Sequence, residues 1–155
     1  MATLALDRKV PDFQLPATGG TTWRLKDAAG HALVIYFYPK DMTSGCTLEA
    51  QAFRDLYPKF RRAGIGIVGI SRDSVKSHDR FCQKENLPFP LLSDADEKVC
   101  RLFDVIREKT LYGRKYLGIE RSTFLLDAGG VLRREWRKVK VDGHAEEILE
   151  AAKSL

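Results

Sequence analysis

Cys46 closes the stretch Pro39-Lys-Asp-Met-Thr43-Ser-Gly45-Cys46, which sets a hydroxyl, a glycine and a thiol within four residues. An apolar run ends just before this stretch at Tyr38, and residues spaced as on one helix face begin at about Cys46. The thiol is therefore expected at a helix N-terminus, where unpaired backbone N–H groups and the positive end of the helix dipole favour a thiolate. Gly45 permits close approach to the backbone, and Thr43 presents a hydroxyl three residues before the sulfur. A thiolate with donors beside it and partial access is a nucleophile. Free cysteine is often just a small buried residue in a core helix, but the polar, glycine-containing loop argues against that here.

Two further cysteines make the count three, too few for a disulfide scaffold in a chain of 155 residues and unable to pair completely. Cys82 lies in Asp79-Arg-Phe-Cys-Gln-Lys-Glu85, the later half of a polar helix, and Cys100 lies in Glu97-Lys-Val-Cys-Arg-Leu-Phe103, beside a buried stripe. Cys100 is expected to be a half-buried structural thiol. His31, His78 and His144 show no metal-ligand spacing and are expected to be surface or internally satisfied histidines. A Cys–His hydrolase stays open at this point, because its partners need not be close in sequence. A dithiol oxidoreductase would want Cys-x-x-Cys at the helix start, but Glu49 stands three residues after Cys46.

The elements that must hold these residues alternate. Ala32–Tyr38 is a continuous apolar, β-branched and aromatic run, suited to a strand buried on both faces. Ile65–Ile70 and Thr123–Leu126 repeat this character, and Phe89–Leu92 is a shorter strand candidate between prolines. Val131–Trp136 alternates after the turn at Asp127–Gly130, as a hairpin partner should. Short strands are expected near Asp12–Leu15 and Thr22–Leu25. Leu48, Ala52, Phe53, Leu56, Tyr57 and Phe60 form one helical stripe, with a kink or break expected at Pro58. Ser74–Asn86 reads as a helix capped by Ser74, Asp94–Phe103 as another, and His144–Lys153 as a terminal one. This order implies an α/β domain with a central sheet, in a single domain over residues 1–155.

Hydrophobic residues make up 44% and charged residues 30%, the balance of a soluble globular chain. No run of 18 apolar residues and no secretory leader pattern is present, so a cytoplasmic protein without a membrane span is expected. The net charge of +5 is uneven: Arg101–Lys140 holds eleven basic and five acidic residues, a local excess of +6. A basic nucleic-acid-binding module is the reading from another functional class. No nucleic-acid-binding motif accompanies the charge, so no specific nucleic acid is expected as a partner.

Pro39, Thr43 and Cys46 match the Pro-x-x-x-Thr-x-x-Cys pattern of the peroxiredoxins, and Tyr36–Ala50 resembles the Q-type, or bacterioferritin comigratory protein, subfamily. The resemblance continues through Gly69-Ile-Ser71, Leu91-Leu-Ser-Asp94 and Arg121-Ser-Thr-Phe-Leu-Leu-Asp127, and so covers most of the chain. It implies a thioredoxin-like fold, with a central mixed sheet flanked by helices and an N-terminal extension. It also implies reduction of hydrogen peroxide and organic hydroperoxides without a metal or other cofactor. Cys46 would be the peroxidatic cysteine, passing through a sulfenic acid. Thr43 would hydrogen-bond the peroxide, Arg121 would stabilise the thiolate and the leaving oxygen, and Pro39 would pack over the sulfur.

Many Q-type members resolve with a cysteine five residues after the peroxidatic one, where this chain has Gln51. Cys82 matches the position that another branch of the subfamily uses. The resemblance thus implies resolution by Cys82, recycling by thioredoxin or a related thiol reductant, and a monomer. An external thiol attacking the sulfenic acid directly is the alternative. Bridging Cys46 to Cys82 would require movement wherever their Cα atoms start more than about 7 Å apart. The segment Ile106–Gly118, with Tyr112 and Tyr116, is expected to border the site.

Overall fold

The computed structural model describes residues 4–155. Seven strands form one mixed sheet: β1 (Gln14–Ala17), β2 (Thr21–Arg24), β3 (Ala32–Phe37), β4 (Ile65–Ser71), β5 (Leu91–Ser93), β8 (Ser122–Leu126) and β9 (Leu132–Trp136). Their spatial order is β2-β1-β5-β4-β3-β8-β9. The central pairs β3–β4 and β4–β5 are parallel, and the outer pairs are antiparallel. Four helices complete the main body: α1 (Ser44–Arg62), α2 (Val75–Glu85), α3 (Lys98–Leu102) and α4 (His144–Lys153).

Strand β3 shows why the sheet is buried on both faces. Leu33, Ile35 and Phe37 join one core cluster with Phe103, Cys100, Phe124 and Leu126. Val34, Tyr36 and the following Tyr38 join the other, with Cys46, Phe53, Phe60, Phe81 and Ile148. Side chains alternate across a strand, so a continuous apolar run feeds two cores at once. Helices α1, α2 and α4 cover the second cluster, and α3 covers the first.

Several expectations needed correction. The helical stripe of α1 holds at Phe53 and Phe60, which are buried, and at Ala52, Leu56 and Tyr57, which are partly buried against the same cluster; but Leu48 is 59% exposed, and Cys46, Glu49 and Ala50 complete the buried face instead. Pro58 neither ends nor breaks α1, which runs on to Arg62. It sits on the exposed face between the buried anchors Phe53 and Phe60, so both halves of the helix stay seated and only one intrahelical bond is lost. Helix α3 is shorter than expected, because Asp94 stays outside it and accepts from Val99 N (3.2 Å) and Cys100 N (2.6 Å) as a buried cap.

A second sheet was missed in the sequence. β6 (Ile106–Leu111) and β7 (Arg114–Ile119) form a separate two-stranded hairpin. Most of its side chains are exposed, so no buried face marks it as sheet. Its turn is Tyr112-Gly113, with φ of 51° and 76°, the left-handed pair that suits a tight hairpin. Ser74 caps α2 as expected, accepting from Ser77 N at 3.1 Å, and Asn86 ends it in the left-handed conformation. Among the described residues, no helix is long and apolar enough to cross a membrane.

Candidate active site

Cys46 is the third residue of α1, and the first helical backbone bond runs from Thr47 N to Thr43 O at 2.9 Å. The amides of residues 44–46 precede that bond and have no partner inside the helix. The sulfur is nearly closed off, at 1% exposure for the residue. Arg121, just ahead of β8, reaches it from the strand next to β3, with Nη2 donating to Sγ at 3.4 Å. The register that sets Phe37 opposite Ser122 brings Arg121 to the end of β3, beside the loop that leads into α1. Its carbonyl accepts from Val139 N at 3.0 Å, which ties this backbone to the segment after β9.

Gly45 explains how the guanidinium comes so close. A Cβ at this position would lie 3.2 Å from Arg121 Nη2. The other guanidinium nitrogen, Nη1, donates to Glu49 Oε1 at 2.7 Å. One cation therefore faces both a sulfur and a carboxylate from the same helix face. Burial works against the charge on Arg121, but Glu49 and Cys46 more than offset it and raise its pKa. Burial pushes Glu49 up to about 7, against the pull of Arg121. Glu49 Oε2 and the nearby Tyr36 hydroxyl are buried without a protein hydrogen-bond partner.

Thr43 and Pro39 lie in the loop between β3 and α1. Thr43 is exposed, and its hydroxyl donates to Lys40 O at 2.8 Å rather than to the sulfur, leaving its lone pairs free. Pro39 is partly buried directly after Tyr38. Of the segment Ile106–Gly118, Lys109 is the residue that senses this region. Burial and the charge of Arg121 lower Lys109 on β6, and Cys46 opposes them.

All three cysteines are free thiols. Cys82 is half-buried on α2 and packs against the cluster that contains Cys46, with Sγ 4.0 Å from Phe89 O. Burial first, and then the charge of Asp41, push its thiol up to about 11. Cys100 lies in the cluster on the opposite face of the sheet. It was expected to be half-buried but is 0% exposed, and burial and Asp94 push its thiol far up. His78 and His144 are buried and hydrogen-bonded, and His31 is exposed.

Glu49 was noted in the sequence only as the residue that excludes Cys-x-x-Cys. Taking the helical stripe from Cys46 instead of Leu48 would have put Glu49 on the buried face, where a carboxylate needs a cationic partner.

The family model described as AhpC/TSA family matches residues 6–135. Peroxiredoxin Bcp of Xanthomonas campestris is 56% identical over 153 residues, 99% of this chain and 96% of that protein. Peroxiredoxin Bcp of Bacillus subtilis is 47% identical over 153 residues, 99% of this chain and 98% of that protein. A solved structure of Xanthomonas campestris Peroxiredoxin Q is similar with a TM-score of 0.88 at 58% identity, covering 92% of this chain and 90% of that one. A crystal structure of a cysteine-to-serine variant of Xylella fastidiosa PrxQ gives 0.93 at 43% identity, covering 99% and 98%.

Proposed function

The chain belongs to the AhpC/TSA family, and from that premise we propose that Cys46 is the peroxidatic nucleophile of a thiol peroxidase and that Cys82 resolves it. The chain is a peroxiredoxin of the Bcp, or Q, type, with the thioredoxin-like α/β fold, and it is a peroxidase. The observation that carries the assignment to Cys46 is the Arg121 guanidinium, which spans the 3.4 Å to Cys46 Sγ and the 2.7 Å to Glu49 Oε1.

The Cys46 thiolate attacks one peroxide oxygen. An S–O bond forms, the O–O bond breaks, sulfur is oxidised by two electrons, and the departing oxygen takes a proton to leave as water or an alcohol. Arg121 faces the sulfur before attack and the developing oxyanion during it. The free amides of the first turn of α1 and the lone pairs of Thr43 are the further polar groups at this end, and Pro39 shields the sulfur from water. Hydrogen peroxide and organic hydroperoxides are the substrates in this reading. One solved structure of the Xanthomonas campestris bacterioferritin comigratory protein is described in terms of alkyl peroxide reduction activity.

In the second step the Cys82 sulfur attacks the sulfenic sulfur, an S–S bond forms, and the hydroxyl leaves as water. Cys82 shares a core cluster with Cys46, whereas the sheet separates Cys100 from both. Two solved Xanthomonas campestris Peroxiredoxin Q structures each carry a cysteine-to-serine change, and the two positions are separated by the same interval as Cys46 and Cys82. A dithiol of the thioredoxin type then reduces the disulfide by exchange. The protein works in this reading as a monomeric cytoplasmic enzyme of one domain.

A second reading keeps the first step and lets an external thiol attack the sulfenic acid. The half-buried Cys82 thiol, pushed up to about 11, favours it, because a protonated thiol is a poor nucleophile. Peroxide turnover with thioredoxin, for wild type and the Cys46→Ser, Cys82→Ser and Cys100→Ser variants, tests both readings. Loss of all turnover with the first variant, loss of thioredoxin-dependent turnover with the second, and little change with the third are expected. Full thioredoxin-dependent turnover in Cys82→Ser would establish the external route.

A further inference from the structure

A dense buried polar cluster outside the Cys46 site joins the loop ahead of α1 to the start of α2. At its centre is Asp41, whose carboxylate receives three donors. Tyr38 Oη donates to Oδ1 at 2.6 Å; Ser77 Oγ and His78 Nδ1 each lie 2.8 Å from Oδ2. The other ring nitrogen of His78, Nε2, faces the Leu92 carbonyl at 2.9 Å. Nδ1 also lies 3.3 Å from Tyr38 Oη, so both ring nitrogens are engaged and the ring ties α2 to the Asp41 loop and to β5. His78 and Asp41 are thus a buried hydrogen-bonded pair with side chains 0% and 2% exposed.

The Asp41 amide donates to Asp73 Oδ2 at 2.9 Å, and the same oxygen accepts from Ser71 Oγ at 2.6 Å. Ligand-type atoms of Asp41, Asp73 and His78 lie within 4.8 Å of one another. Those atoms already face protein donors and acceptors, so the geometry serves internal pairing rather than a metal ion. Burial pushes the Asp41 carboxyl up, but His78, Tyr38 and Ser77 hold it below its ordinary value.

The position of the pair in the chain gives it a consequence for the chemistry. Asp41 lies five residues before Cys46, and His78 lies one helical turn before Cys82 on α2. We propose that the Asp41–His78 pair is the latch holding the Cys82 helix against the Cys46 loop, and that disulfide formation requires the latch to open. The proposal rests on the reading that Cys82 resolves Cys46. Separating this buried pair leaves polar groups without partners, so the pair opens when its segments reach water together. Asp41 and His78 are positioning residues here: they set how long the Cys46 sulfenic acid waits. While it waits, a second peroxide can convert it to sulfinic acid, with the peroxide oxygen transferred to sulfur and the remainder leaving as water or an alcohol.

The test uses the full chain, Asp41→Asn and Ser77→Ala. Asp41→Asn keeps the shape and removes the charge. Ser77→Ala removes one donor and leaves the Asp41–His78 contact, so it remains informative if the first variant folds poorly. Rapid-quench mass spectrometry after one equivalent of peroxide reads sulfenic acid and disulfide separately. Sulfenic acid formation is expected to stay within about twofold of wild type, while disulfide formation speeds up by ~10-fold or more in Asp41→Asn, as loss of a charged hydrogen bond predicts. Ser77→Ala should shift the same way by several-fold, and the peroxide concentration giving half conversion to sulfinic acid should rise in both. A purely structural role would not split the two steps. A wild type that forms the Cys46–Cys82 disulfide, with both variants resolving no faster than it does, overturns the latch. A wild type that forms no such disulfide overturns the underlying reading, and the latch with it.

Discussion

Glu49 and Arg121 form an ion pair at 2.7 Å, with the Glu49 side chain 2% exposed and that of Arg121 16%. The pair lies along the buried face of α1, and the second arm of the same guanidinium meets Cys46 Sγ. The carboxylate fixes one side of a planar fork, so the other side has a defined direction.

Glu49→Ala removes that anchor. Formation of the Cys46 sulfenic acid is expected to slow by ~10- to 100-fold, the scale of a small misplacement at a reacting centre. Glu49→Gln, whose amide oxygen can still accept from Arg121, should lose less. Stopped-flow measurement of Cys46 oxidation checks the order, and an Ala variant as fast as wild type would count against the positioning role.

The same carboxyl makes stability depend on pH. Its folded value, pushed up to about 7 by burial, lies above the ordinary 4.5. Below about 4.5 both the folded and the unfolded chain hold the proton. Between about 4.5 and 7 only the folded chain holds it, so stability falls as pH rises, and the loss is complete above about 7. Glu49→Gln cannot ionise there. The difference in thermal midpoint, variant minus wild type, is expected to grow by ~3 °C or more from pH 5 to pH 8. Parallel curves would refute it.

Gly45→Ala should separate activity from stability. The new Cβ would sit 3.2 Å from Arg121 Nη2, so the guanidinium must give by a few tenths of an ångström. Sulfenic acid formation is expected to slow by roughly 3- to 10-fold. The thermal midpoint should hold or rise, because alanine suits a helix better than glycine. An unchanged rate would show that Arg121 tolerates the shift.

Pro58→Ala should stabilise the fold. The proline lies on the exposed face inside α1 and cannot donate to the carbonyl of Arg54. Alanine restores that bond, and a gain of ~1–3 kcal/mol in denaturant unfolding is expected, with peroxide turnover unchanged. A loss of stability would mean that the ring makes contacts that outweigh the missing bond.

The legible parts of the fold were those whose residues answer to a local period. Ala32–Phe37 announces a doubly buried strand, and Ser74 and Asn86 mark both ends of α2. The β6–β7 hairpin escaped because its exposed strands carry no buried face. The inward stripe of α1 differs from expectation only at its start, where apolar Leu48 is exposed and Glu49 is buried. Only Arg121, just ahead of β8, reveals why a carboxylate belongs inside. Pro58 was expected to disturb a helix that two buried phenylalanines hold in place.

By itself the sequence determined the alternation of strands and helices, the thiol at a helix start and the family pattern around it, since these depend on neighbours a few residues apart. The tertiary structure alone decided which distant groups meet. Arg121 lies 75 residues from Cys46 and reaches it because β8 pairs with β3. Cys82 and Cys100 differ in their local surroundings, but only the sheet shows that the first lies on the face of Cys46 and the second on the other. His78 gave no sign in the sequence of its pairing with Asp41, 37 residues away. Partners so far apart along the chain are set by sheet register and by the side of the sheet on which each helix packs, and no local pattern encodes either.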